Sequence, residues 1–332
     1  MKVIDLFCGA GGFSAGFQKE GYEIVGAVDN WDDAVRTYKA NRSMKNVLLK
    51  NIKHTTKHDF PIKPDVMVGG PPCQGFSLAG RRNRGDPRNS LFRHFVRLVS
   101  ELEPKVLLME NVQGLLSMKT NHGEKVINVI EDEFDKIGYN ITYKTINAAD
   151  FGVPQLRRRI FMVANRLGLT NGTLFPKETY GPNSKSKRPY VTVREAIMDI
   201  AYISDPEDEW NHKPMEHSDR VAKRFGMIPK GVDLAKNQTF LPRSLRRHGY
   251  ASNCKRLTLD DPSVTVVPGH YAFPVHPFLP RTLTVREVAR LQTFYDTDIF
   301  YGNRDKQGTL VGNGVPPLLA AAFAKRFKQF LD

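Results

Sequence analysis

The chain has 332 residues, 40% hydrophobic and 25% charged, with a formal net charge of +14. That length exceeds one simple core and predicts about two domains, and no apolar run approaches the ~18 to 20 residues of a membrane span. The three cysteines, Cys8, Cys73 and Cys254, have neither close pairing nor metal-ligand spacing, which excludes a disulfide framework and a metal cluster and predicts a reducing compartment.

In chain order, short apolar runs alternate with helical stretches. Strands are expected at 3–7, 24–28, 65–68, 106–109, 141–146 and 160–164, and helices at 14–20, 33–41, 90–101 and 124–137. That alternation is the pattern of an α/β protein with a doubly wound, mostly parallel sheet. Beyond residue 167 the rhythm breaks. Residues 168 to 280 are rich in Pro, Asn, Lys and Arg and show no clear helical period, which predicts a loop-rich module. Helices are expected again at 285–294 and 316–330, the last packing back on the first part. The boundaries read 1–174, 175–280 and 281–332. The N-terminus meets Asp5 before any apolar core develops, so no signal peptide is expected.

Three segments carry chemistry. Val3 to Phe13 run as a strand into the glycines Gly9, Gly11 and Gly12 and then a helix, a junction where a ligand can approach the backbone closely. Asp29 ends the second strand, where an acid suits a ribose diol, and Trp31 adds an aromatic face. Ser14 stands where a dinucleotide fingerprint needs its third glycine, which disfavours a nicotinamide-dependent oxidoreductase. In Gly69-Gly70-Pro71-Pro72-Cys73-Gln74-Gly75-Phe76-Ser77, the diproline places one thiol at the end of a buried strand. Cys73 reads either as a nucleophile or as a small core residue. Arg81, Arg82, Arg84, Arg88 and Arg93 stand against the single acid Asp86, and a second basic stretch runs over 210–256. Two such clusters favour a polyanionic partner such as nucleic acid.

The glycine segment followed by the diproline-cysteine segment resembles the DNA (cytosine-5) methyltransferase family of bacterial and phage type. Further blocks occur in the family's order: Glu110-Asn111-Val112, Gln155-Leu156-Arg157-Arg158-Arg159, Arg281 to Arg290, and Val311-Gly312-Asn313-Gly314-Val315-Pro316. The resemblance implies a Rossmann-like fold and methyl transfer from S-adenosyl-L-methionine, leaving S-adenosyl-L-homocysteine. The acceptor is carbon 5 of a flipped cytosine in double-stranded DNA. It assigns Cys73 as nucleophile, Glu110 as the acid at ring nitrogen 3, Arg159 to the carbonyl at position 2, and Arg157 to positioning the nucleophile or a phosphate.

By the same resemblance Phe7, Gly9, Gly11, Gly12, Asp29, Trp31, Asn51, Ile52, Pro72, Leu91 and Asn313 line the cofactor pocket. Asp29 replaces a usual glutamate, and Asn51 a usual aspartate. Gln74, Ser77, Arg81, Arg82, Arg84, Arg243, Arg246 and Arg247 are expected at DNA, with Lys255 and Arg256 as further candidates, and 175–280 as the target-recognition module. Neither a metal nor a membrane is expected. The implied setting is a monomeric enzyme in the cytoplasm of a bacterial or phage-infected cell, at the nucleoid, genetically paired with a restriction endonuclease. A tRNA methyltransferase of the same fold is the alternative; that branch carries a Cys-Phe-Thr tripeptide in its variable region, and none occurs here.

Overall fold

The computed structural model describes residues 1–42, 44, 46–72, 89–120, 123–169, 172–246, 254–269 and 273–331, without the side chains of 89 and 90. Contacts divide the chain into two compact units. The first comprises Met1–Asn147, Arg158–Lys177 and Pro317–Asp332, and the second Ala148–Arg157 and Glu178–Pro316. The second unit is thus wider than the 175–280 module, because both the arm before Arg158 and the segment up to Pro316 make their contacts within it.

In the first unit the elements run β1 (Lys2–Leu6), α1 (Gly12–Lys19), β2 (Glu23–Asp29), α2 (Asp32–Asn41), β3 (Val47–Leu49), β4 (Val66–Gly69), α3 (Asn89–Leu102), β5 (Val106–Val112), α4 (Val126–Asp135) and β6 (Asn140–Asn147). Strand β7 (Gln155–Leu156) lies in the second unit, and β8 (Arg158–Asn165) returns to the first. Seven strands form one sheet in the order β3-β2-β1-β4-β5-β8-β6. The first five are parallel, and β8 lies antiparallel between β5 and β6.

Strands β1, β4 and β5 read as continuous apolar runs because both faces of the sheet are covered. On one face Ile4, Leu6, Met67, Leu107, Met109, Ile160 and Met162 pack with α3 and α4 residues such as Phe95, Val99, Ile130 and Phe134. On the other, Phe161 stacks on Phe323 at 5.0 Å in the final helix α9 (Pro317–Leu331). Helix α9 also meets α1, where Phe17 lies 6.1 Å from Phe327. Residues Pro317–Asp332 thus group with the first unit.

The second unit contains α5 (Val193–Ile197), α6 (Asp219–Met227), β9 (Ser263–Val264), α7 (Val285–Leu291) and α8 (Arg304–Asn313). Strand β7 pairs in parallel with β9. Phe225, Ile228, Leu234, Leu241, Cys254 and Val275 form a small core. The reading of 168–280 as lacking helical period is corrected at α6. One buried Phe225 is enough to anchor its nine residues, too narrow a stripe to stand out. Glu287, fully buried, accepts both guanidinium nitrogens of Arg281 at 2.7 and 2.8 Å and the Thr284 N–H at 2.7 Å. Burial pushes its carboxyl upward, but the bonds and charge of Arg281 override this and hold it below its ordinary value. Among the described residues no helix is long and apolar enough to cross a membrane.

The α1–α9 contact depends on Gly16. A methyl there would lie 2.5 Å from both Ala320 Cβ and the Ala321 nitrogen, and closer still to the Pro317 carbonyl. Most of that obstruction is backbone, which cannot rotate away. Gly16→Ala should lower stability by about 1–3 kcal/mol or more, read as the urea midpoint; an unchanged midpoint would show that α9 can be lifted at no cost.

Candidate active site

Parallel strands deliver their carboxyl ends to a single edge, and in an open α/β sheet ligands bind there, where the strand order reverses. Here the reversal lies between β1 and β4. From that edge emerge the glycine segment after β1, Asp29 to Trp31 after β2, Asn51-Ile52 after β3, Gly70 to Pro72 after β4, and Glu110 on β5.

The glycine segment has a left-handed backbone at Phe7 (φ 57°), Gly9 (φ 51°) and Gly11 (φ 77°). Nothing lies within 4 Å of the place a Gly9 side chain would occupy, so this backbone is open to a ligand. The loop is gripped from behind. The Asp29 carboxylate accepts the Gly9 N–H at 2.9 Å and the Trp31 N–H at 3.0 Å. The Arg42 Nε donates to the Gly11 carbonyl at 3.3 Å, and the Tyr38 ring crowds Gly11, standing 3.0 Å from where a methyl would lie. Asn51 turns its Oδ1 back onto the Lys53 N–H at 2.9 Å, and Ile52 is buried. Trp31 and Pro72 are half-buried, and Leu91 packs against the main core. An open glycine backbone, a half-buried carboxylate and an indole at one sheet edge fit an adenosine-bearing ligand. Asn313 belongs to the second unit, exposed at the end of α8.

Burial raises the Asp29 carboxyl above its ordinary range, and the Gly9 and Trp31 N–H groups act against this. With the Gly9, Trp31 and Asn30 N–H groups around it, the carboxylate keeps a lone pair with which to accept a hydroxyl.

At the end of β4 the backbone is tied to β5 without a ladder bond. Proline has no N–H, so only the Pro71 carbonyl can pair, and the buried Asn111 Nδ2 donates to it at 2.8 Å. Gly70 sits beside Glu110: a methyl on it would be 4.0 Å from Glu110 Oε2. The Arg159 Nε stands 3.2 Å from Glu110 Oε1, both side chains largely shielded, because Glu110 and Phe161 are register partners across β5 and β8. The structure therefore brings Gly70–Pro72, Glu110 and Arg159 together. Cys73, Gln74, Ser77, Arg81, Arg82, Arg84 and Arg247 lie outside the described residues.

Other arginines are used differently from the sequence expectation. Arg157, assigned to the nucleophile or a phosphate, is buried and donates to the carbonyls of Gly312 (3.1 Å) and Val266 (3.4 Å). Arg256, a candidate DNA contact, is 4% exposed and donates to the carbonyls of His276 and Phe225; that expectation is corrected, since its guanidinium satisfies buried backbone. Arg243 is exposed, while Arg246 donates to the Leu241 and Thr239 carbonyls.

Two further contributors were not singled out from the sequence. Asn111 carries the tie to Pro71, and its position directly after Glu110 was the available signal. Asp5 is 1% exposed and accepts from Ser14 Oγ at 2.6 Å, which in turn accepts from Tyr38 Oη at 2.6 Å. An acid inside an apolar strand next to a glycine loop was its signal.

Burial lifts the Asp5 carboxyl from 3.8 to about 7, against the opposing bond from Ser14. The folded chain thus holds a proton that the unfolded chain has already released. Stability from this group is highest below about pH 4, falls as the pH rises towards 7, and falls no further above. In Asp5→Asn this part of the slope should vanish, so the thermal midpoint should fall less between pH 5 and 8 than in the wild type. An unaltered slope would mean that Asp5 is already ionised at pH 5.

The family described as C-5 cytosine-specific DNA methylase matches residues 1–329. The Type II methyltransferase M.DdeI of Desulfomicrobium norvegicum is 35% identical over 377 residues, covering 100% of this chain and 89% of the relative. The Type II methyltransferase M1.HphI of Haemophilus parahaemolyticus is 38% identical over 336 residues, covering 98% and 86%. A crystal structure of a candidate DNA modification methyltransferase encoded within an E. coli prophage matches with a TM-score of 0.77 at 26% identity, over 100% of this chain and 99% of that one. A mutant of Spodoptera frugiperda DNMT2 shares the fold, with a TM-score of 0.65 at 19% identity over 98% and 99%.

Proposed function

The chain belongs to the C-5 cytosine-specific DNA methylase family, and on that premise we propose that it methylates carbon 5 of cytosine within a short double-stranded DNA sequence, with S-adenosylmethionine as donor. The observation that carries this reading is the meeting of Gly70–Pro72, Glu110 and Arg159 at the carboxyl edge of the sheet. The Type II methyltransferases among the relatives support a partner restriction endonuclease that cuts the same sequence.

Cytosine carbon 5 is a poor nucleophile while the ring is aromatic. Addition of the Cys73 thiolate to carbon 6 breaks that aromaticity and moves electron density onto carbon 5. A free thiol with pKa near ~8.5 is only partly ionised at neutral pH, so positive charge near position 73 assists. Glu110, carrying a proton, donates it at ring nitrogen 3, where addition builds negative charge. Arg159 donates to the carbonyl at position 2 and orients Glu110 through their contact. Asn111, by holding the Pro71 carbonyl, fixes the backbone two residues before the nucleophile. The base must first leave the helix, at a cost of about a few kcal/mol.

Phe7, the open backbone at Gly9 and Gly11, Asp29, Trp31 and Ile52 would hold S-adenosylmethionine. When bound, it supplies an electrophilic methyl group. The carbon 5 proton then departs and the Cys73 sulfur leaves by β-elimination. Arg243, with Gln74, Ser77, Arg81, Arg82 and Arg84, supplies cationic or polar groups for the phosphate backbone.

Fluorine at carbon 5 blocks the final elimination. The wild type incubated with 5-fluorocytosine duplex and S-adenosylmethionine should form a denaturation-resistant adduct, and Cys73→Ala should form none. An adduct that persists in Cys73→Ala, or methylation of tRNA in place of duplex DNA, defeats the reading. Asn111→Ala should slow adduct formation about two- to tenfold, since it removes one hydrogen bond of net worth ~0.5–1.5 kcal/mol from the Pro71 carbonyl, while cofactor affinity stays within twofold.

A further inference from the structure

Resting on the methyltransferase reading, we propose that Arg97 and Glu101 of α3 are positioning residues for the turn that follows β3, and that through this turn they set the cofactor site's preference for adenine over other purines. Asp29, residues 51–57, Arg97 and Glu101 all lie in the first unit.

The place of the turn follows from the sheet. Strand β3 flanks β2 on the side away from β1, and as β3 ends the Lys50 N–H donates to the Asp29 carbonyl at 2.9 Å. A ribose held by the Asp29 carboxylate sends its 5′ side and its base in opposite directions. The open glycine backbone after β1 takes the 5′ side. The base then lies towards the end of β3, one strand spacing of about 4.8 Å away. There the chain presents the exposed residues Asn51, Lys53 and His54.

This turn has little of its own to hold it. Ile52–His54 form a single 3₁₀ turn, closed by the His54 N–H on the Asn51 carbonyl at 2.8 Å and the Thr55 N–H on the Ile52 carbonyl at 3.3 Å. The buried Thr55 hydroxyl adds a bond to the Asn51 carbonyl at 3.1 Å. Strand β3, at the margin of the sheet, is only three residues long.

Helix α3 supplies the anchorage. Arg97 Nη2 donates to the carbonyls of Ile52 at 3.2 Å and Thr55 at 2.6 Å. Arg97 Nη1 donates to Glu101 Oε1 at 2.7 Å, and Glu101 Oε2 accepts the Lys57 N–H at 3.0 Å. Two side chains one helical turn apart thus grip three backbone groups, while Ile52 joins the core cluster of Phe92 and Phe95. A guanidinium is suited to this, because its planar fork serves a carboxylate and two carbonyls together, whereas a lysine ammonium is a single point. The clamp leaves the polar groups at 51–53 one arrangement against a base edge. Without it those groups remain, but no longer in one place.

A substitution that only loosens the fold weakens every ligand alike, whereas loss of a positioned base edge weakens one purine more than another. Binding of S-adenosylhomocysteine is therefore compared with that of S-inosylhomocysteine, in which an oxygen replaces the 6-amino group. Calorimetry is run on wild type, Arg97→Met and Arg97→Lys at a temperature where circular dichroism shows each one folded. The wild type should prefer the adenine ligand. Arg97→Met should weaken that ligand about three- to tenfold and leave the inosine ligand within about twofold, so the preference narrows. Arg97→Lys, which keeps the charge, should recover only part of it.

Equal weakening of both ligands, an unchanged preference in Arg97→Met, full recovery in Arg97→Lys, or a wild type indifferent to the exchange overturns the proposal. If Arg97→Met does not fold, Glu101→Leu releases both the Arg97 guanidinium and the Lys57 N–H, and the same narrowing is expected. A wild type that binds neither ligand would instead refute the methyltransferase reading itself.

Discussion

The parallel pairing of β1 with β2 and β4, and of β4 with β5, is the constraint from which the site follows. Parallel neighbours all leave the sheet at one edge, so residues distant in sequence converge there. Phe7, Asp29 and Gly70 are brought to that edge by register alone. The covered faces of the sheet then supply stability, which leaves the edge free to carry polar and strained groups. The left-handed backbone at Phe7 and the buried acid at Asp5 are such groups, held by packing on either side.

Polar side chains acting on backbone are the second theme. Asn111 reaches the Pro71 carbonyl, Asp29 takes two loop N–H groups, Arg42 holds Gly11, and Arg157 with Gln292 closes the end of α8. Each fixes a short irregular segment that secondary structure cannot fix. Where the chain must present glycine or proline next to a ligand, ladder hydrogen bonds are missing, and amides, carboxylates and guanidinium groups replace them.

This separates what was legible in the sequence from what was not. The apolar runs of β1, β4, β5 and β8 and the amphipathic α3 and α4 could be read directly, because burial on a sheet imposes a pattern. Strand β3, three residues long, and helix α8, Arg304 to Asn313, impose none; α8 is set by its Asn303 cap, which accepts the Lys306 N–H at 3.1 Å, and by the hydrogen bonds at its other end. In the site, Glu110 and the glycine segment were recognisable from their order along the chain. The destinations of Arg157 and Arg256 were not, because an arginine serves a carbonyl or a phosphate with the same donors, and only its depth decides between them.

The seam between α1 and α9 also orders events during synthesis. Phe17 and Gly16 are made early, whereas Phe327, Phe323 and Ala320 emerge from the ribosome more than 300 residues later. Domains usually fold as they are released, amino-terminal part first, but here part of one sheet face, at Phe161, waits for Phe323 of α9 until the other unit has been translated. A chain interrupted anywhere before residue 317 therefore lacks a helix its oldest segment needs, and the nascent protein stays without a finished cofactor-bearing half until nearly all of it has been made.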